Sequence, residues 1–163
     1  MDLLHELTLS MIKYYQGDPK RIQHFIKVHS FARLIGIGEK LDADTLFVLE
    51  AAALTHDIGI KPAKAKFNSS GGKFQEQEGP APARKMLTEL GFDENVIDRV
   101  CYLIAHHHTY TDINGMDYQI LVEADFIVNL YEDSLPKKSV QTALERIFRT
   151  ETGKCLCKTV FDI

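Results

Sequence analysis

The stretch Ala52-Ala53-Leu54-Thr55-His56-Asp57-Ile58-Gly59-Ile60-Lys61-Pro62 decides how this chain is read. Leu46, Leu49, Ala53 and His56 recur at helical steps, and Gly59 with Pro62 reads as a stop signal. His56 and Asp57 are therefore expected in the last turn of a buried helix. Neighbouring side chains there point about 100° apart and are able to converge on one ion. An apolar segment that ends in a histidine and an aspartate needs a reason, because burying either one unpartnered is costly.

Outward from this point the punctuation is helical. Residues 1–15 have an amphipathic pattern. Asp18-Pro19 caps a second helix that carries Ile22, Phe25, Ile26, Phe31, Ala32 and Ile35 up to Gly36, and Asp42 or Asp44 caps the third. Pro80 opens a fourth that Gly91 closes, and Asp93 caps a fifth with Val96, Val100, Leu103 and Ile104. After the Asn114-Gly115 turn, a sixth runs from about Asp117 to Tyr131 and a seventh from about Pro136 to Phe148. No alternating segment supports a sheet, although Lys154–Phe161 reads as a short strand or a last helical turn. The expectation is an all-α bundle of six to seven helices. It forms one domain over 1–163, with a core at about 18–131, an N-terminal helix and a C-terminal helical extension.

Composition narrows the function classes. The 163 residues are 45% hydrophobic and 26% charged, ordinary for a globular domain. A net charge of −4 argues against binding a nucleic-acid polymer. The three cysteines show no CxxC framework, so a reducing, cytoplasmic setting is expected. Cys155 and Cys157 form neither a closed zinc site nor an easy disulfide at that spacing. The N-terminal residues include Asp2, Glu6 and Lys13, unlike a signal peptide, and no run reaches the roughly 18 apolar residues of a membrane span.

Other inward histidines and carboxylates share the pattern of His56 and Asp57. His24, Val28 and Ala32 repeat at i, i+4 and i+8, which puts His24 on an apolar stripe. Asp125 lies among Leu121, Val122 and Val128, where an isolated carboxylate wants a cation. His106, His107 and His108 close the fifth helix. Singly, each has a structural reading: a satisfied core histidine, a cap partner, or imidazoles at the negative end of a helix. Together they place His or Asp on inward faces of four helices, and a metal in the bundle core explains all of them.

In this order and spacing, His24, "HDIG", "IAHHH" and "EAD" resemble the HD superfamily of metal-dependent phosphohydrolases. The resemblance implies His24, His56, Asp57 and Asp125 as ligands of one divalent ion. This donor set suits Mn, Fe, Co, Ni, Mg or Zn without choosing among them. Asp57 is the expected residue to orient or deprotonate a water, with His106 or His107 assisting the leaving oxygen. Many two-metal relatives carry a further histidine where Gln75 stands, so one ion is expected, with Glu76 or Glu78 as the alternative donors to a second. The GYP signature of the cyclic-dinucleotide branch is absent, and the common HDxGK becomes HDIGIK with Lys61 one place late.

Residues 58–75 hold Lys61, Lys64, Lys66 and Lys73 and no acid, a local +4 in a chain of −4. They read as a mobile basic lid that draws a small phosphorylated substrate, a nucleotide first among them, toward the ion. A solvated basic loop without a role is the competing reading. Lys61, Lys64 and Arg84 are the candidate phosphate contacts. The rival functions are a non-catalytic metal- and nucleotide-binding regulatory module and an iron-dependent oxygenase.

Overall fold

The computed structural model describes residues 1–163 as ten helices with no strand. They are α1 (Leu3–Tyr14), α2 (Pro19–Gly38), α3 (Ala43–Thr55), α4 (Ile60–Phe67), α5 (Gly72–Glu78), α6 (Pro80–Leu90), α7 (Glu94–His106), α8 (Met116–Glu132), α9 (Lys137–Arg146) and α10 (Glu151–Phe161). The all-α expectation holds, but the count exceeds six to seven. Asp18 caps α2 through a bond from the Arg21 amide, and Asp42 caps α3 through Thr45. Thr150 caps α10, so the Lys154–Phe161 segment is helical. Cys155 there is exposed and Cys157 buried, and both are free thiols. No helix is long and apolar enough to cross a membrane.

Three elements exceed the expectation: α10, a full helix in place of a short strand or last turn, and α4 and α5, which occupy most of the stretch read as a mobile lid. Pro62 does not stop a helix. It is the third residue of α4, where a backbone N–H would lack an intrahelical partner anyway, so its absence is tolerated. Asn68 ends α4 in the left-handed conformation, and only residues 68–71 separate it from α5. Lys66 is held by Glu78 at 2.6 Å. The basic segment is thus a helical pair.

Helix α3 is the centre of the bundle and packs on α1, α2, α7 and α8. Every residue from Leu49 to Ile60 is buried. The enclosed second half of α3 needs no polar face, which accounts for the apolar run Ala51–Leu54, and its two polar residues are paired, Glu50 with His29 and Thr55 with the Ala51 carbonyl. His56 caps α3, and the four-residue turn from His56 to Gly59 leads into α4. This turn is clamped from α1, where the Tyr15 hydroxyl donates to the Asp57 carbonyl at 2.6 Å and that of Tyr14 to Ile58 at 3.1 Å. On its other side Gly59 meets the junction of α5 and α6. A Cβ at Gly59 would lie 2.5 Å from the Gln75 carbonyl oxygen and 2.8 Å from the Gly79 Cα and N. The glycine of "HDIG" is required by this close approach of two backbones.

Candidate metal centre

Four side chains from three parts of the bundle meet at the end of α3. His24 comes from the second turn of α2, His56 and Asp57 from the turn after α3, and Asp125 from the middle of α8. His24 Nε2 is 3.2 Å from His56 Nε2, 3.1 Å from Asp57 Oδ2 and 3.2 Å from Asp125 Oδ1. His56 Nε2 is 3.4 Å from each of the same two carboxylate oxygens. Donors about 2.0–2.2 Å from one ion stand roughly 3.0 Å apart at right angles and roughly 3.4 Å apart in a tetrahedron. The spacings about the two imidazoles are those of atoms that share a cation: His24, His56 and Asp57 form one mutually close donor group, and Asp125 reaches both imidazoles.

The histidines are oriented for that role. His24 Nδ1 lies 3.1 and 3.2 Å from the two oxygens of Glu132, which also accepts from Lys27 at 2.9 Å. His56 Nδ1 donates to the Ala53 carbonyl at 2.7 Å. With each Nδ1 carrying its proton to an oxygen, each neutral ring keeps its Nε2 lone pair for the centre, the arrangement that fixes metal-binding imidazoles.

All four groups are at most 5% exposed, so their charges act at short range in a poorly solvated space. Burial opposes the protonated form of His24, but the carboxylates of Asp125 and Asp57 override it and push its pKa up to about 10. Burial likewise opposes the ionised forms of Asp57 and Asp125. Around Asp57 the imidazoles of His56, His107 and His24 win and hold its carboxyl well below the usual range. His56 and His24 do the same for Asp125. Protons and neighbouring cations compensate the two carboxylates here, a task to which a divalent ion is equally suited.

A second group adjoins the first through Asp57. His107 Nε2 is 3.6 Å from Asp57 Oδ1, and its Nδ1 donates to the Ile104 carbonyl at 2.7 Å. Gln75, expected in the place of a second-site histidine, is buried. Its amide nitrogen donates to the Ser70 carbonyl at 2.7 Å, which turns Oε1 toward His107 Nε2 (3.3 Å) and His108 Nε2 (3.0 Å). The Tyr110 hydroxyl is 3.5 Å from His108 Nδ1. Burial and the neighbouring His107 push the His108 pKa down to about 4. Burial also opposes a charged His107, but Asp57 reverses that and raises its pKa. Asp57, His107 and His108 therefore form a second possible donor group.

Several expectations need correction. His106 is not in the centre. Its Nδ1 lies 2.7 Å from the Tyr102 carbonyl and its ring stacks on Tyr102, so His107 and His108 are the pair that faces Gln75. Lys61 turns to α1, donating to the Tyr14 carbonyl at 3.1 Å with its ammonium 4.9 Å from the Tyr14 ring centroid. Lys64 is exposed and lines a small cavity with Lys61, Tyr15 and Asp18. Arg84 bonds Glu94 at 2.6 Å and Asp98 at 2.5 Å. Asp98 precedes His106 by two turns of α7, about 12 Å along the axis, so Arg84 stands at the wrong end of that helix. Glu76 accepts from the His108 amide and the Thr109 hydroxyl at 3.1 and 2.9 Å, and Glu78 holds Lys66. Neither alternative carboxylate is free to approach the centre.

Three residues were missed. Glu132 is the partner of His24, two turns along α8 from Asp125, and its i+7 spacing from that aspartate was a usable signal. His108, not His106, joins His107 at Gln75. Arg21, in the first turn of α2, places Nη1 2.7 Å from Asp57 Oδ2. A charged residue at a helix start ordinarily reads as solvated, and nothing in the sequence marks this one.

The HD domain family model matches residues 21–149. A solved structure described as a predicted HD superfamily hydrolase from an uncultured Thermotogales bacterium superposes with a TM-score of 0.69 at 25% identity, covering 97% of this chain and 84% of that one. No curated protein matches. With the model spanning most of its length and its His-Asp pair at the heart of the buried cluster, the chain belongs to the HD domain family.

Proposed function

We propose that this protein is a metal-dependent hydrolase of small phosphate esters, with nucleotides as the first class to test. The observation that carries the reading is the convergence of Asp57 Oδ2 and Asp125 Oδ1 on His24 Nε2 and His56 Nε2 at spacings of 3.1 to 3.4 Å. A divalent ion held by these residues supplies Lewis acidity, lowering the pKa of a water toward neutrality and neutralising phosphoryl oxygens. Asp57 has a second oxygen turned toward His107, from which it can orient the attacking water. His107 donates from Nδ1 to Ile104, and its Nε2 faces only acceptors, Gln75 Oε1 at 3.3 Å and Asp57 Oδ1 at 3.6 Å, so the ring is placed to give a proton from Nε2 to the leaving oxygen.

Gln75 supports a single ion. Its Oε1 only accepts, so the contact at 3.0 Å places a proton on His108 Nε2, and the remaining lone pair of that ring faces the Tyr110 hydroxyl. A ring nitrogen that carries hydrogen is not a donor to a cation. An amide oxygen is itself a weaker ligand than imidazole for late first-row ions.

The test combines elemental analysis with phosphate release from nucleoside mono-, di- and triphosphates. One equivalent of divalent metal is expected, lost together with activity in His56→Ala and Asp57→Ala. Full occupancy in both variants, or no phosphate release from any of these substrates by metal-loaded protein, would overturn the reading.

A further inference from the structure

We propose that Arg21 is a movable counter-charge: in the metal-free chain its guanidinium neutralises Asp57, and once a divalent cation occupies Asp57 it turns to bind an oxygen of the substrate's phosphoryl group. The proposal rests on the reading of the centre given above. Arg21 is the one lysine or arginine whose charged group bonds to the cluster of His24, His56, Asp57 and Asp125. Its Nη1 bonds Asp57 Oδ2 at 2.7 Å, the same oxygen that lies 3.1 Å from His24 Nε2 and 3.4 Å from His56 Nε2. The guanidinium and a cation held by those imidazoles therefore call on one oxygen atom. Two cations on one buried carboxylate oxygen repel at close range, so occupancy by one weakens the hold of the other.

Where the arm goes follows from its attachment. Arg21 sits in the first turn of α2, with its backbone amide fixed on Asp18 at 3.1 Å, and its side chain is 23% exposed against 7% for that of Asp57. The root is anchored while the head lies at the solvent side of the centre. Only Nη1 is engaged, so Nε and Nη2 are free to donate. A phosphoryl group presents several anionic oxygens, and a guanidinium matches two of them with parallel N–H bonds. Of the basic residues expected at this task, Lys61 is committed to Tyr14 and Arg84 to Glu94 and Asp98, and Lys64 makes no contact with the cluster, so Arg21 is the basic group that bonds to the centre.

A counter-charge predicts changes of opposite sign, which a packing role does not. In Arg21→Gln, Mn²⁺ should bind the metal-stripped full-length chain about tenfold more tightly by calorimetric titration, while inorganic phosphate should bind the Mn²⁺-loaded chain about tenfold more weakly. Arg21→Lys keeps the charge but not the fork, so Mn²⁺ affinity should stay near that of the unaltered protein and phosphate binding should recover only in part. Unchanged affinities, or a loss of Mn²⁺ and phosphate affinity together in Arg21→Gln, would overturn the proposal and leave the metal reading standing. Failure of the unaltered chain to take up Mn²⁺ would instead overturn the reading of the centre, and this proposal with it.

Discussion

Gly59→Ala tests whether the His-Asp turn is held by the backbone contact beneath it. The new Cβ would meet the Gln75 carbonyl oxygen at 2.5 Å and the Gly79 Cα and N at 2.8 Å. All three are backbone atoms of the α5–α6 junction, so no side chain can rotate out of the way. Ordinary contact begins near 3.4 Å, so the junction must withdraw by about 0.9 Å. It is itself pinned, since a Cβ at Gly79 would collide with Ile104 Cγ2 at 2.5 Å, showing how tightly α7 lies behind it.

Overpacking of a close-packed core costs typically 1–3 kcal/mol, and a clash between two backbones belongs at the upper end, about 3 kcal/mol. At roughly 2–4 °C per kcal/mol for a domain of this size, the expected loss is about 6–12 °C in Tm. Gly91→Ala is the comparison. Gly91 has φ +88° at the end of α6 and nothing within 4 Å of its Cβ direction, so it carries backbone strain alone. That amounts to about 1 kcal/mol and roughly 2–4 °C. Differential scanning calorimetry on metal-stripped protein, with circular dichroism to check helix content, makes the measurement. A Gly59→Ala variant that melts no lower than Gly91→Ala would refute the argument that backbone contact requires this glycine.

Glu132→Gln should weaken Mn²⁺ binding by about 10–100-fold with helix content unchanged, because His24 loses its anionic orienting partner; an unaltered titration curve would deny Glu132 that role. His107→Ala should lower kcat by about 10²–10⁴-fold, whereas His106→Ala, whose ring lies on Tyr102, should leave kcat within a few-fold; equal losses would return His106 to the centre. The metal-free protein should also be most stable in mildly acidic solution. His24 has its pKa raised from 6.5 to about 10, so its contribution is complete below pH 6.5 and is lost as pH rises toward 10. Asp57 and Asp125 have theirs lowered, so their contribution is present above their unfolded values and is lost as pH falls through the folded ones. A metal-free Tm that stays flat from pH 6.5 to 10 would contradict the His24 assignment.

The sequence was legible wherever helical period and burial coincide. His24 on the Val28–Ala32 stripe, the His-Asp pair after an enclosed helix, and Asp125 among apolar neighbours could each be placed inward from spacing alone, and the structure brings them together. Errors arose where the period breaks. Helix α7 ends at His106, so the directions of His107 and His108 follow a turn rather than the 100° rule, and a shift of one residue exchanges the pair that faces Gln75. Pro62 has opposite meanings at the two ends of a helix. Arg21 is hidden because a charged residue at a helix start usually belongs to solvent, whereas Glu132 shares the Asp125 face of α8 at i+7 and is legible only once that face is known to turn inward.

A buried set of two carboxylates and two imidazoles must fold whether or not a cation is present. Asp57 and Asp125 bring two negative charges to a place that offers them almost no water. Without compensation their desolvation would be several kcal/mol each, comparable with the stability of the whole domain. The chain provides the compensation twice over. Arg21 and a protonated His24 supply positive charge at 2.7 to 3.2 Å, and a divalent cation held by the same donors would supply it in their place. This is the physical sense of placing a histidine and an aspartate at the end of an apolar helix. The enclosed α3 fixes the donors, and the exposed end of α2 carries the one cation that can leave.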